Sequence, residues 1–303
     1  MRTNILLLYL LLGAQVVLAQ NTCFLEQERI GEIAAFDHFT SQNEFADLDN
    51  DGDLDLYTTE IKHWWAGAGS DASELLINDG GASFSRPGRD ALGLTLTHNE
   101  VAWDEGHITA AALDLDNDGL QDIYLGGTDY PGNRGHLYHN LSTPEAPRFE
   151  ELSVMEGFEH NRSHGVVSLD FDGDGDLDLL CGEFLDGFTY YENIGTRTQP
   201  RYAAGRRLTL PPGAEALALP SAWKATREAA SLPGSPRPLT MDLEMITPVA
   251  IDWNKDGHFD LIVGDEDGRV AFVENTGNFT SDHTPLFLPP RYFQQEAAEL
   301  KFG

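Results

Sequence analysis

One nine-residue pattern, Asp-x-Asp/Asn-x-Asp-Gly-x-x-Asp, occurs four times and constrains everything around it. The most acidic copy reads D-F-D-G-D-G-D-L-D, with Asp170, Asp172, Asp174 and Asp178 at positions 1, 3, 5 and 9 and Gly175 at position 6. The first copy supplies Asp47, Asp49, Asp51, Gly52 and Asp55, and the second Asp114, Asp116, Asp118, Gly119 and Asp122. The last supplies Asp252, Asn254, Asp256, Gly257 and Asp260. Carboxylates packed this closely repel one another unless a cation sits among them. Hard oxygen ligands at alternate positions, with glycine at the turn, describe a calcium loop. Position 7 varies (Asp53, Leu120, Asp176, His258), as it can where only the backbone carbonyl is used. All these loop positions except the turn glycines are expected metal ligands, for up to four calcium ions. Asn254 is neutral, so its site is expected to be the weaker one. A single copy could be a polar turn, but four copies in one register argue against that.

The loop is not an EF-hand, which needs a bidentate Glu at position 12 and flanking helices. Position 12 here is Thr58, Leu125, Cys181 or Val263. The flanks, such as Val166-Val167-Ser168-Leu169 before and Leu261-Ile262-Val263 after, are short apolar runs rich in β-branched residues. They read as buried strands, so each loop joins two strands. A third strand ending in Asn follows each loop, at Asn78, Asn140, Asn193 and Asn275. An aromatic comes soon after: Phe84, Phe149, Tyr202 or Phe287. The unit is therefore strand, calcium loop, strand, turn, strand, Asn turn, short fourth strand.

First-Asp spacings of 67, 56 and 82 residues mark a repeat architecture. Four antiparallel strands per unit predict an all-β chain, a β-propeller of four recognisable blades, with the ring open or incomplete. The blades are expected at about 36–90, 105–155, 162–210 and 245–290, within a propeller spanning 20–290. An insertion at about 206–245 carries a short helical stretch, Ala214 to Ala230, and 291–303 is a tail or the start of another blade. A second insertion holds His63, Trp64 and Trp65, aromatics suited to stacking on a sugar or filling a gap between blades.

Residues 1–19 have a basic start, an apolar core and the small-residue end Val17-Leu18-Ala19, the form of a secretory signal peptide. The mature chain is expected to be secreted, or periplasmic in a bacterium, with no membrane insertion. Fifty acidic against 19 basic residues give a net charge of −31, which excludes a nucleic-acid partner. Two cysteines, Cys23 and Cys181, are too few for a disulfide framework. Cys181 lies on a strand of buried pattern and is expected to pack as a small hydrophobe. Sequons occur at Asn140, Asn161 and Asn278.

No nucleophile elbow, phosphate loop or zinc spacing is present. His107 and His164 open the first strands of two blades. They would suit acid–base work if a carboxylate lay nearby, but repeat position makes a strand-capping role the better reading.

Together the four loops, the Glu192–Gly195 and Glu274–Gly277 E-N-x-G segments, and the phrase Leu261 to Val270 resemble the FG-GAP/VCBS repeat family. These are secreted calcium-binding β-propellers related to the integrin α head. The resemblance covers about residues 36–290 and implies calcium at the loop positions, with no catalytic residue carried over. It implies a non-catalytic binding or adhesion module for an extracellular protein or glycan ligand. The alternatives are a carbohydrate-active enzyme, such as a calcium-dependent polysaccharide lyase, and a truncated propeller without independent function, whose further blades would come from a missing C-terminal segment or another chain.

Overall fold

The computed structural model describes residues 40–60, 73–81, 83–94, 107–127, 135–152, 163–183, 187–214, 237–241, 245–295 and 298–300. Four of its sheets are four-stranded and antiparallel, and they are the blades. Blade 1 is β1 (Thr40–Ala46), β2 (Asp55–Glu60), β3 (Glu74–Asn78) and β4 (Phe84–Ser85). Blade 2 is β5 (His107–Leu113), β6 (Asp122–Gly127), β7 (His136–Asn140) and β8 (Phe149–Glu151). Blade 3 is β9 (Ser163–Leu169), β10 (Asp178–Glu183), β11 (Phe188–Tyr191) and β12 (Arg206–Arg207).

Blade 4 contains β13 (Thr247–Ile251), β14 (Asp260–Gly264) and β15 (Val270–Val273). A hairpin of β16 (Asn275–Phe279) and β17 (Pro285–Phe287) follows. The fourth strand of this blade is β18 (Arg291–Tyr292), paired with β15, so the unit runs past residue 290. A small hairpin, β19 (Gln294–Gln295) and β20 (Ala298–Glu299), closes the described chain. The helix of the described residues is a single turn, α1 (Arg89–Leu92). No helix among them is long and apolar enough to cross a membrane.

First strands of successive blades lie against one another: β1 on β5, β5 on β9, β9 on β13. Three apolar clusters fill the gaps between blades. Tyr57, Leu75, Ile77, Leu92 and Leu94 meet Ala110, Ile123, Leu125 and Tyr138 between blades 1 and 2. Tyr124 and Leu137 meet Leu179, Cys181 and Tyr191 between blades 2 and 3. Leu180, Phe188 and Tyr190 meet Leu261, Val263, Ala271 and Val273 between blades 3 and 4. Burying each of these large side chains contributes about 1.5–3 kcal/mol. Central strands covered on both faces carry continuous apolar runs, as in β6 and β10, which are buried along their whole length.

In every blade the aromatic pairs directly with the Asn: Asn78 with Phe84, Asn140 with Phe149, Asn193 with Tyr202, and Asn275 with Phe287. In blades 3 and 4 the regular fourth strand begins later, at Arg206 and Arg291. Arg206–Arg207 is therefore part of blade 3, and the insertion starts beyond it. The ends of the insertion pair with each other, Thr209 with Pro238, and Leu208, Leu210, Leu239 and Met241 enter the core. The helical stretch expected from Ala214 to Ala230 lies outside the described residues beyond Ala214. So do residues 1–39, His63, Trp64 and Trp65.

Candidate metal centre

Each acidic loop links the first two strands of its blade and holds the same backbone form. Position 6 has positive φ in all four copies: Gly52 at 99°, Gly119 at 91°, Gly175 at 97° and Gly257 at 90°. Position 4 also needs the left-handed region, with Asn50 at 63°, Asn117 at 65°, Gly173 at 81° and Lys255 at 62°. Asn and Gly enter that region readily, whereas lysine pays a steric penalty. The Asn, Asn, Gly series at position 4 is the signal that spacing analysis of the carboxylates passes over.

The position-1 carboxylates of the first, third and fourth loops, and the side chains at positions 3 and 5, turn inward and accept the loop's own N–H groups. Asp170 accepts from Gly173 at 2.7 Å and Gly175 at 3.1 Å, and Asp172 accepts from Asp174 at 3.1 Å. Asp47 accepts from Asp51 and Gly52, each at 3.1 Å. Asp252 accepts from Asp256 at 3.1 Å and Gly257 at 3.2 Å. The position-5 carboxylates Asp51, Asp118, Asp174 and Asp256 each accept the N–H of position 7. That fixes the backbone at Asp53, Leu120, Asp176 and His258 whatever their side chains.

Position 9 behaves differently. Asp55, Asp122, Asp178 and Asp260 are buried to 1% exposure or less. One oxygen of each accepts the backbone N–H of position 2: Leu48 at 2.8 Å, Leu115 at 2.9 Å, Phe171 at 3.1 Å and Trp253 at 3.2 Å. The other oxygen accepts the N–H of the blade's Asn at 2.8–2.9 Å. The Asn side chain in turn accepts an N–H two residues on, from Gly80, Ser142, Gly195 and Gly277. Three Asn amides also donate to the carbonyl of position 8. The last Asp is thus the rivet joining loop, second strand and Asn turn. Asn140 is fully buried and its amide nitrogen donates to Leu48 and Gln121, so this sequon is closed in the folded chain, whereas Asn278 is exposed.

Ligand atoms converge in three loops. Asp47, Asp49 and Asp55 bring one oxygen each within 4.8 Å of one another, as do Asp170, Asp172 and Asp174. In the second loop Asp116 and Asp118 converge with His139 of β7, whose Nε2 lies 3.0 Å from Asp116. No such group is formed in the fourth loop among the described residues. There the Asn254 amide donates to Asp256 at 2.9 Å, an orientation that a cation would reverse. Crowding shows in the proton affinities. Burial and the neighbouring Asp55, Asp51 and Asp47 push Asp49 up to about 6. Burial pushes Asp122 to about 6 and Asp178 to about 7. Asp176 Oδ1, Asp53 Oδ1 and Asp114 Oδ1 are buried without a hydrogen-bond partner. Unpaired buried oxygens in a nest of carboxylates fit a hard divalent cation.

Successive blades also cap one another's loops. Asn140 of blade 2 donates to the Leu48 carbonyl at 3.0 Å. Arg197 of blade 3 donates to the carbonyls of Leu115 at 2.8 Å and Asp114 at 3.2 Å. His283 of the β16–β17 hairpin converges with Asp172 and Glu192.

His107 is fully buried between blades, with Nδ1 3.4 Å from Ser73 Oγ and its ring edge-on to His136 at 5.6 Å. Burial and the His136 ring hold it well below the usual imidazole range. Burial lowers His164 to about 4. Cys181 is a free, fully buried thiol pushed up to about 12.

Fold and loops define a class: an all-β repeat protein of four-stranded antiparallel blades with acidic loops between the first and second strands. Residues 114–181, from the second loop to the second strand of blade 3, match the FG-GAP-like repeat model. The chain therefore carries an FG-GAP-like repeat, and the same loop-and-strand pattern recurs in blades 1 and 4. No curated protein matches the chain.

Proposed function

We propose that the chain is a secreted calcium-binding β-propeller module that binds an extracellular protein or glycan and does no chemistry of its own. The observation that supports this reading is the convergence of three ligand atoms in the first and third loops, each against a carboxylate rivet. Asp47, Asp49, Asp51 and Asp55 would hold one ion, and Asp170, Asp172, Asp174 and Asp178 another. Asp114, Asp116, Asp118 and Asp122 form the second site and Asp252, Asn254, Asp256 and Asp260 the fourth, each completed by the residue at position 7. Bound calcium supplies positive charge that offsets carboxylate repulsion. The residues themselves tie the two first strands of each blade to its Asn turn, which holds the exposed loop ends rigid for a partner. Secretion rests on the leader-like first 19 residues.

Calcium titration by calorimetry, with melting followed in calcium and in chelator, tests the reading. Saturable binding and a melting temperature raised by calcium are the expected results. An unchanged melting temperature and no binding heat would overturn it.

A further inference from the structure

Blade-to-blade packing follows a register that repeats three times and then stops. Counting back from the first loop Asp, the residues three and one positions earlier face the following blade. They are Glu44 and Ala46, Ala111 and Leu113, Val167 and Leu169, and in blade 4 Val249 and Ile251. In blades 1 to 3 these are partly or fully buried, with Val167 and Leu169 in the cluster shared with blade 4. In blade 4, Val249 is 61% exposed and Ile251 42%.

Position 2 of the loop repeats the pattern. Leu48 and Leu115 are 0% exposed and Phe171 6%, whereas Trp253 is 55% exposed. The aromatic contact beneath is retained: Phe171 meets Tyr190 at 6.2 Å and Trp253 meets Phe272 at 6.3 Å. So is the basic edge, with Arg206 over Tyr190 at 5.4 Å and Arg291 over Phe272 at 5.0 Å. Blade 4 therefore has the same seating surface as blade 3, the row Val249–Ile262–Phe272–Arg291 matching Val167–Leu180–Tyr190–Arg206.

The second strands agree. Four residues after the last loop Asp stand Thr59, Gly126, Gly182 and Gly264. Thr59 donates to the Ile108 carbonyl of blade 2 at 3.3 Å. A Cβ on Gly126 would lie 2.7 Å from the Ser163 carbonyl oxygen, and one on Gly182 2.2 Å from that of Ile246, each on the run into the next blade. A Cβ on Gly264 would meet only Thr247 of its own blade, at 3.3 Å.

At the other end, the residues two positions before the loop face the preceding blade. Ala112 and Ala250 pack into the inter-blade clusters, and Ser168 is half-buried. Their counterpart in blade 1, Phe45, is 57% exposed. Its row partners Leu56 and Leu76 are already buried, so blade 1 offers its first strand rather than its whole face.

We infer that blade 4 seats the first strand of blade 1 from a second copy of this chain, and reciprocally, continuing the interface that joins blades 1 to 2, 2 to 3 and 3 to 4. A head-to-tail contact of this kind closes when the rotation returns to its start. Two copies of the four described blades make eight, within the range that propellers close. Calcium favours the contact, because a net charge of −31 per chain otherwise drives copies apart.

Sedimentation velocity of the full chain in calcium, over a concentration series, tests this with Val249→Glu and Gly264→Val on one face and Phe45→Glu on the other. Among the described residues Val249 and Phe45 are exposed and Gly264 is half-buried, and unchanged melting of each variant checks that the blades stay intact. The expected result is a dimer for the unaltered chain, a monomer for each variant alone, and a one-to-one heterodimer when Val249→Glu is mixed with Phe45→Glu. A monomer at every concentration overturns the inference. So does a dimer that survives either substitution, or a mixture of the two variants that fails to associate. Calcium binding can be intact in any of these outcomes, so a failure here leaves the calcium-module reading standing.

Discussion

Asp178 accepts the backbone N–H of Asn193 at 2.8 Å, fifteen residues further along the chain, while its other oxygen accepts from Phe171 and the Tyr190 hydroxyl. One carboxylate thus closes the loop, fixes the second strand and sets the Asn turn. Replacing Asp178 by Ala strips an acceptor from three donors, each buried without relief. Unpaired buried donors cost about 1–3 kcal/mol apiece, so Asp178→Ala should lose at least about 3 kcal/mol. The exposed Asp174→Ala, which removes one of the repelling charges, should lose less than about 1 kcal/mol in chelator. Urea unfolding of both variants in chelator checks the order.

Lys255 holds φ at 62° where the third loop has Gly173 at 81°. A left-handed lysine carries a penalty of about 1–2 kcal/mol, partly offset by the larger unfolded-state entropy of glycine. Lys255→Gly should therefore stabilise the protein by about 0.5–1 kcal/mol, read as a higher melting temperature.

The loops, their strands and the fold class were legible in the sequence because acidic spacing and β-branched runs are local patterns. Strand pairing of Asn with the aromatic was half legible. Asn140 and Phe149 stand out as a recurring pair, but their direct pairing depends on hydrogen bonds that spacing does not encode. The rivet at position 9 looked like one ligand among equals. Its burial comes from tertiary packing, which Asp178 shares with Tyr190 only once the sheet forms. His107 read as a strand-end residue of possible chemistry, and packing against blade 1 removed it from reach of a substrate. The capping of one loop by the next blade, as by Arg197, joins residues 82 positions apart and left no trace in local pattern.

Raised carboxyl pKa values predict that calcium binding at the proposed sites depends on pH. Asp49 and Asp122 stand at about 6 and Asp178 at about 7 in the metal-free fold, against an ordinary value of 3.8. Folding thus retains protons on these groups, so their contribution to metal-free stability is present below about pH 4 and is lost as pH rises towards 7. Calcium needs the ionised form and must displace those protons. Affinity should fall as pH drops from 7.5 to 5, by about tenfold per unit once below pH 6 for a site releasing one proton. Calorimetry in buffers of different ionisation enthalpy should show proton release on binding near pH 6 and little at pH 8.

Asn254 makes the fourth loop the odd one. Its amide donates to Asp256, and Asn254, Asp256 and His258 are exposed where Asp172 is half-buried and Asp176 buried in the third loop. Asn254→Asp adds a carboxylate to the set and should tighten that site by roughly tenfold, since ligand charge tunes calcium affinity. In chelator the same change adds repulsion with Asp252 and Asp256 and should lower the melting temperature. A titration that resolves the weakest site, run beside melting in chelator, reads both signs.

Arg197 is the clearest bond between one blade's turn and another's loop, its guanidinium donating to the Leu115 and Asp114 carbonyls at 2.8 and 3.2 Å and reaching Asn117 at 3.4 Å. Charged donors to carbonyl acceptors contribute about 1.5–3 kcal/mol when half-buried, and here two share one fork. Arg197→Ala should cost about 1–2 kcal/mol after allowing for partial exposure. Lysine carries the charge but not the planar fork, so Arg197→Lys should recover less than half of that loss. Because the loop carbonyls belong to blade 2 and the arginine to blade 3, hydrogen exchange should rise at Leu115 and at the Thr196–Gln199 turn together. Exchange rising at only one of the two would mean that the contact does not couple the blades.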